Sequence, residues 1–259
     1  MATPCCLAFV AVVSSAVSFA VPARAQLVGT DSFERPRKTF ASPQRFAFEA
    51  RFAAFWPEVD SDPALNGKTP FGDLYGKGPQ LLAGAEFDWE ALRIPHLGTL
   101  GPGLGVAYMK ASTKAPYETA QGTQTISGED TALEIIPFYG VATLRADVFL
   151  RDFHVPLVPW VKLGVGYALW RASNTLGTAS YKGVTGEGHT LGTHLALGLG
   201  LNLNFLDPDT AQEFDNSLGV NGTYLFAEWT REDLTGLGTQ SGPMRVGGSA
   251  WTFGFAFEF

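Results

Sequence analysis

The chain has 259 residues and a formal net charge of −7, from 18 basic and 25 acidic side chains without a basic run, which excludes an electrostatic nucleic-acid-binding surface. Both cysteines, Cys5 and Cys6, precede the first apolar run, so the rest of the chain has no disulfide framework, thiolate metal site or cysteine nucleophile. With 30 glycines, 20 phenylalanines and only 17% charged residues, the composition suits a β-rich protein better than a helical one.

Leu7 to Phe19 is apolar or small apart from Ser14, Ser15 and Ser18, and is too short for a helical span of ~20 residues. Ala23 and Ala25 supply the small residues of a signal-peptidase site. Residues 1–25 are therefore expected to form a cleaved signal peptide; an N-terminal helical anchor is the alternative, since a charged n-region is missing. Residues 26–43 are polar and proline-containing and are expected to form a loose periplasmic arm. No apolar run of helical-span length follows, so residues 44–259 are expected to contain no transmembrane helix.

Period-2 alternation then recurs, the signature of strands with one apolar and one polar face. Phe46, Phe48, Phe52 and Trp56 stand opposite Arg45, Glu49 and Arg51; Leu81, Phe87 and Trp89 stand opposite Glu86, Asp88 and Glu90. Leu104, Val106 and Tyr108 oppose glycines and alanine. Val161 to Leu169 oppose Lys162, Gly164 and Gly166. Leu191 to Phe205 oppose His194 and a row of small residues, and Trp251, Phe253, Phe255, Phe257 and Phe259 oppose Glu258. Thr131–Val148 is interrupted by Pro137, where a bulge or break is expected. Val220–Thr230 is apolar on both parities, which leaves its faces unassigned. The predicted strands cover about 44–56, 80–90, 102–111, 130–150, 159–171, 189–205, 219–231 and 245–259.

Alternation alone fits both a soluble sandwich and a membrane barrel. The polar faces are rich in glycine and alanine, as a narrow lumen requires. Trp56, Trp89, Tyr108, Trp160, Trp170, Trp229 and Trp251 mark strand ends, where bilayer interfaces favour aromatics. The strands are also long for a globular protein and suit a tilted membrane crossing. Long polar connections follow the odd-numbered strands (57–79, 112–129, 172–188, 232–244) and shorter or more structured ones the even-numbered strands (91–101, 151–158, 206–218), with a helix expected from Pro208 to Phe214 after an Asp207 cap. These features predict an all-β fold: an eight-stranded antiparallel up-and-down transmembrane β-barrel behind an N-terminal signal peptide. The last strand closes it against the first, leaving no edge.

A terminal aromatic preceded by alternating apolar positions, here Phe253, Phe255, Phe257 and Phe259, resembles the C-terminal signal that the barrel-insertion machinery recognises in bacterial outer-membrane proteins. The blocks "SPQRFAFEARFAAFWPEVDSDP", "VPLVPWVKLGVGYALW", "FLDPDTAQEFDNSLGVNGTYLFAEW" and "SAWTFGFAFEF" resemble a family of outer-membrane β-barrel proteins found in myxobacteria. The resemblance spans nearly all of the chain after the expected signal peptide. It implies a barrel in the bacterial outer membrane and supplies no catalytic residue.

The chemistry-bearing candidates are few. Gly101-Pro102-Gly103-Leu104-Gly105 lacks the lysine and following helix of a phosphate loop. Asp60, Asp62, Asn66 and Asp73 could gather a calcium ion, although Pro63 and Ala64 interrupt the ligand pattern. His194, on the lumen parity, would need a nucleophile from another strand to serve a lipid hydrolase; a hydrogen-bonded lumen histidine is the simpler reading. Arg45, Glu49, Arg51, Glu86, Asp88, Glu90, Lys162 and Glu258 all carry the inward parity. Buried charges persist only when paired and hydrogen-bonded, so they are expected to form a salt-bridge network filling the lumen. The expectation is a monomeric, non-enzymatic barrel without a cofactor or metal, whose partners are outer-membrane lipid and the insertion machinery. Its role would be structural, or recognition through its outer loops. The alternatives are a narrow conduit for a small or apolar solute, with Pro137 marking a lateral gap, and a lipid-modifying enzyme.

Overall fold

The computed structural model describes residues 45–118, 124–181, 183–239 and 243–259. They form strands β1 (Phe46–Phe55), β2 (Gln80–Trp89), β3 (Gly98–Glu118), β4 (Gln124–Arg145), β5 (Leu157–Asn174), β6 (Glu187–Asn202), β7 (Gly222–Asp233) and β8 (Gly248–Glu258). Each pairs antiparallel with the next, and β8 pairs with β1 from Ala47 opposite Glu258 to Phe55 opposite Ala250. The ring is a closed eight-stranded up-and-down barrel, so each of these strands has two neighbours. The expected signal peptide (1–25) and arm (26–43) lie outside the described residues.

The period-2 pattern sorts side chains as a soluble sandwich does not. On β8, Trp251, Phe253 and Phe255 are 60%, 55% and 47% exposed, while Thr252, Ala256 and Glu258 are buried. Phe46, Phe48 and Phe52 of β1 and Leu104 of β3 face outward as well, while Glu49, Arg51, Glu86, Asp88 and Lys162 are buried inside. Greasy side chains surround charges, the reverse of a water-soluble fold, and this removes the sandwich alternative.

Four expectations need correction. Residues 112–129 are not a loop throughout, because β3 and β4 continue as a paired extension to Glu118 and Gln124, with one register shift between Lys114 and Pro116. Pro137 neither bulges nor breaks β4: Val106 opposite Phe138 and Met109 opposite Ile135 keep one register, and Pro137 itself lies opposite Ala168 of β5. The missing N–H instead thins the β3–β4 ladder locally, where Ala107 and Tyr108 have no partners in β4. Trp160 and Trp170 point inward, not to an interface. They share the parity of Lys162, and Trp160 is buried. The predicted helix runs further than Phe214, over Pro208–Leu218.

Among the described residues three α-helices lie in the connections: α1 (Pro70–Tyr75), α2 (Val148–Arg151) and α3 (Pro208–Leu218). The side chain of Asp207 caps α3 by accepting from Thr210 N at 3.1 Å, which holds its carboxyl below the usual aspartate range. Gly219 ends α3 in the left-handed region, φ 74°. Among the described residues no helix is long and apolar enough to cross a membrane. The described parts of the connections after β1, β5 and β7, and the paired ends of β3 and β4, lie at one mouth of the barrel. Those after β2, β4 and β6 lie at the other, with Arg45 and Phe259, which are joined by a 2.7 Å bond from Arg45 N to Phe259 O.

The lumen is packed in layers. Toward the first mouth, Ala53, Phe55, Met109, Ala111, Leu133, Ile135, Ala168 and Ala250 form an apolar cluster. Phe71 of α1, and Leu234 and Val246 from the β7–β8 connection, complete it as a cap. Toward the second mouth, Val158, Trp160, Tyr224, Phe226 and Ala256 form another, with Leu150 of α2 packed against it. These clusters explain why strands four and seven showed no clean alternation. Their inward rows, including Leu133, Ile135 and Tyr139 of β4 and Tyr224 and Phe226 of β7, are as apolar as their outward ones.

Candidate functional site

The charged layer of the lumen follows from strand order. On β1, Glu49 and Arg51 precede Ala53 and Phe55; on β5, Lys162 lies between Trp160 and Ala168; on β7, Glu228 follows Phe226. Each charge therefore sits between the two apolar clusters, where few water molecules compete and pairing decides whether it can remain ionised.

Lys162 is the hub. It is fully buried, and its Nζ lies 2.8 Å from Glu49 Oε2, 2.7 Å from Glu86 Oε1 and 3.5 Å from Glu228 Oε2. Arg51 pairs with Glu86 and Glu228 and donates to Tyr139 Oη at 2.8 Å, and that hydroxyl donates to Glu86 Oε2 at 2.9 Å. Arg145 reaches Glu49 at 3.1 Å and Glu258 at 3.2 Å, with Glu90 and Asp88 at 3.6 and 3.7 Å. Neutral donors complete the shell: Trp160 Nε1 to Glu228 at 2.7 Å, Tyr224 Oη to Glu258 at 2.7 Å, and Thr143 Oγ1 to Asp88 at 3.1 Å.

Two glycines make room for this arrangement. A Cβ on Gly105 would lie 2.1 Å from Cζ of Tyr139, and one on Gly198 would lie 2.2 Å from Nε1 of Trp160. These two small residues of the lumen face are thus sockets for large ones.

Of the residues expected in the network, Glu49, Arg51, Glu86, Asp88, Glu90, Lys162 and Glu258 come together. Arg45 does not. It sits at the mouth, exposed, with its backbone bound to Phe259. The cation beside Glu258 is Arg145. Sequence reasoning missed Arg145, Glu228, Glu232 and Tyr139, all on the two strands whose faces could not be assigned. Of the C-terminal row, Phe253, Phe255 and Phe259 are exposed on the outer surface, and Phe257 is partly so.

One oxygen each of Glu49, Glu86 and Asp88 falls within 4.8 Å of the others, a spacing that a cation would use. The cation near all three is the Lys162 ammonium. In the first connection, Asp60 accepts from Phe71 N and Gly72 N at 2.8 and 2.7 Å, Asp62 accepts from Ala64 N, and Asp73 accepts from the Thr69 hydroxyl. These contacts brace α1 and local turns. Glu58 on the same connection pairs with Arg231 of β7, tying it to the neighbouring rim.

His194 is buried, with Nδ1 3.2 Å from Glu232 Oε1 and its ring stacked on Tyr139 at 4.1 Å between centroids. Beside it, a cavity of about 30 Å³, lined by Arg51, Tyr139, Glu232 and Thr230 among others, is large enough for a water molecule or two. The contacts that define His194 are the Glu232 carboxylate and the Tyr139 ring.

Scans against protein-family profiles and against curated proteins find no match for the chain. Several solved structures are similar at low identity. Ail, the attachment invasion locus protein of Yersinia pestis, solved with the heparin analogue sucrose octasulfate, is 10% identical over 83% of this chain and 97% of its own, with a TM-score of 0.42. The outer membrane protein OprG from Pseudomonas aeruginosa is 10% identical over 83% and 96%, with a TM-score of 0.43. A major outer membrane protein from Thermus thermophilus is 12% identical over 84% and 100%, with a TM-score of 0.38. The barrel described above rests on the strand pairing and side-chain sorting of this chain alone.

Proposed function

We propose that the chain is a monomeric β-barrel of the bacterial outer membrane with a closed lumen and no catalytic activity. Its role would be structural, or recognition through the connections after β1, β3, β5 and β7. In this reading that mouth, which carries the long 56–79 connection and the paired extension of β3 and β4, faces outward and the one holding Phe259 faces the periplasm. The observation that carries the reading is the inversion of the barrel: exposed rows such as Trp251–Phe253–Phe255 surround a buried network centred on Lys162. Such rows gain only where acyl chains cover them.

Closure of the lumen is supported by the three layers. The apolar caps at both mouths and the paired charges between them leave no wide water path, as expected for a barrel of this strand number. The test is purified protein in planar bilayers and vesicles. A folded, heat-modifiable barrel that yields no conductance steps supports the reading; steady single-channel steps would replace it with a conduit. One observation favours that second reading, the thinned β3–β4 ladder at Pro137. The lipid-modifying alternative draws no support from His194, whose ring is packed between Glu232 and Tyr139.

A further inference from the structure

The periplasmic turns carry apolar side chains that the barrel itself does not cover. In α3, Phe214 and Leu218 are 46% and 65% exposed, and Phe205 and Leu206 just before the helix are exposed as well. None of the helix is buried. Phe149 and Phe153, in and after α2, are also exposed. The two turns belong to neighbouring parts of the rim: Leu157 of β5 pairs with Leu201 of β6, and Asn202 N donates to Pro156 O at 2.8 Å.

The sides of α3 are sorted by chemistry. Phe214 and Leu218 are four residues apart and share one flank; Asp209 and Glu213, also four apart, share the roughly opposite one. Ala211, Gln212 and Asp215, which are less exposed, form the side between. A helix that simply dangled in water would not need the first flank, and a helix docked on the barrel would turn that flank inward. The outward row of β6, through Leu197 and Leu199, leads along the same strand to Leu203 and Phe205 at the start of this connection. Exposed Phe205 and Leu206 in the turn after β6, and Phe214 and Leu218 in α3, thus follow this outward row along the chain.

We propose that α3, together with the Phe149–Phe153 turn, is an interfacial anchor. Its apolar side chains seat at the headgroup–acyl boundary of the periplasmic leaflet, while Asp209 and Glu213 face water. The partner is a phospholipid surface of low net charge, because the helix carries acidic residues and no basic ones. This inference rests on the membrane reading of the barrel.

The test uses the full chain with Cys5→Ser and Cys6→Ser, which leaves no other cysteine. Single nitroxide labels are placed through Leu218→Cys, Phe214→Cys, Glu213→Cys or Leu199→Cys in phosphatidylcholine–phosphatidylethanolamine vesicles, and only the heat-modifiable fraction is analysed. Relaxation by oxygen and by a water-soluble nickel chelate is compared. The anchor predicts that labels at 214 and 218 shift toward oxygen and away from nickel relative to 213, in the direction of 199. Labels at 214 and 218 that match 213 overturn it, and so does shielding from both reagents, which would mean that protein covers the flank. If the label at 199 itself reads as aqueous, the membrane reading fails and not merely the anchor.

Discussion

Replacing Lys162 with methionine keeps much of the side chain's volume and removes only the hub of the lumen network. Breaking a buried ion pair costs about 3–5 kcal/mol, because the abandoned partner stays desolvated. Here the loss belongs at the lower end. Glu49 retains Arg145 at 3.1 Å, and Glu86 retains Arg51 and the Tyr139 hydroxyl, so neither carboxylate is left wholly alone. A loss of about 3 kcal/mol, with a urea slope of about 2 kcal/mol per molar, lowers the unfolding midpoint by about 1.5 M. The assay is urea unfolding in vesicles at neutral pH, followed by the heat-modifiable band and tryptophan fluorescence. Adding Glu49→Gln to Lys162→Met removes one of the stranded charges and should recover part of the loss, a coupling that the double-mutant cycle reads directly. A cost under about 1 kcal/mol, the value of an exposed pair, would refute the reasoning. So would single losses that simply add.

Gly105→Ala places a methyl inside the Tyr139 ring and should destabilise the barrel, and Tyr139→Leu in the same chain should restore part of the loss; unfolding midpoints of the three variants check this. Leu234→Ala empties part of the apolar cap and should cost about 2–5 kcal/mol in the same assay. Asp207 is held below the usual aspartate range first by the backbone N–H of Thr210 and then by its hydroxyl. Its contribution to α3 is therefore present above the unfolded value and lost as pH falls through the folded one. Amide protection factors in α3, taken relative to the intrinsic exchange rate at each pH, should fall on acidification, and Asp207→Ala should remove that dependence. Phe259→Ala should slow assembly in cells while leaving folding in detergent unchanged, if the terminal aromatic row is a recognition signal for the insertion machinery.

Strand number, closure and most faces were legible because one side of each clear strand carries large apolar residues and the other carries glycine or charge. The same logic failed where the lumen is itself apolar. On β4 and β7 the inward rows read like outward rows, so Arg145, Tyr139, Glu228 and Glu232 had no assigned direction. Trp160 shows the converse error. Its residue type suggested an interface, but its parity with Lys162 already placed it inside. Register also outweighed local chemistry at Pro137, where unbroken pairing with β5 and a single register with β3 on either side of the gap kept β4 continuous. Arg45 has the inward parity, but parity says nothing about depth, and it lies where the lumen opens.

The apolar caps and the charged layer depend on one another. A barrel filled only by ion pairs would admit water from both mouths, and each pair would weaken toward the value of an exposed one. A barrel filled only by aliphatic and aromatic side chains would tolerate many packings at similar energy. Here Leu234, Val246 and Phe71 at one end and Trp160 and Phe226 at the other limit water access to Lys162. The fixed geometry of Arg51, Arg145 and Lys162 in turn ties together residues of β1, β2, β4, β5, β7 and β8. The coupling implies that Leu234→Asp, which would bring water through the cap, should make stability more salt-sensitive than it is with Leu234 in place, because screening acts on charges that water reaches. Unfolding midpoints at low and high salt, compared between the two chains, measure it; an unchanged salt response would separate the cap from the network and leave the two as independent fillings of one tube.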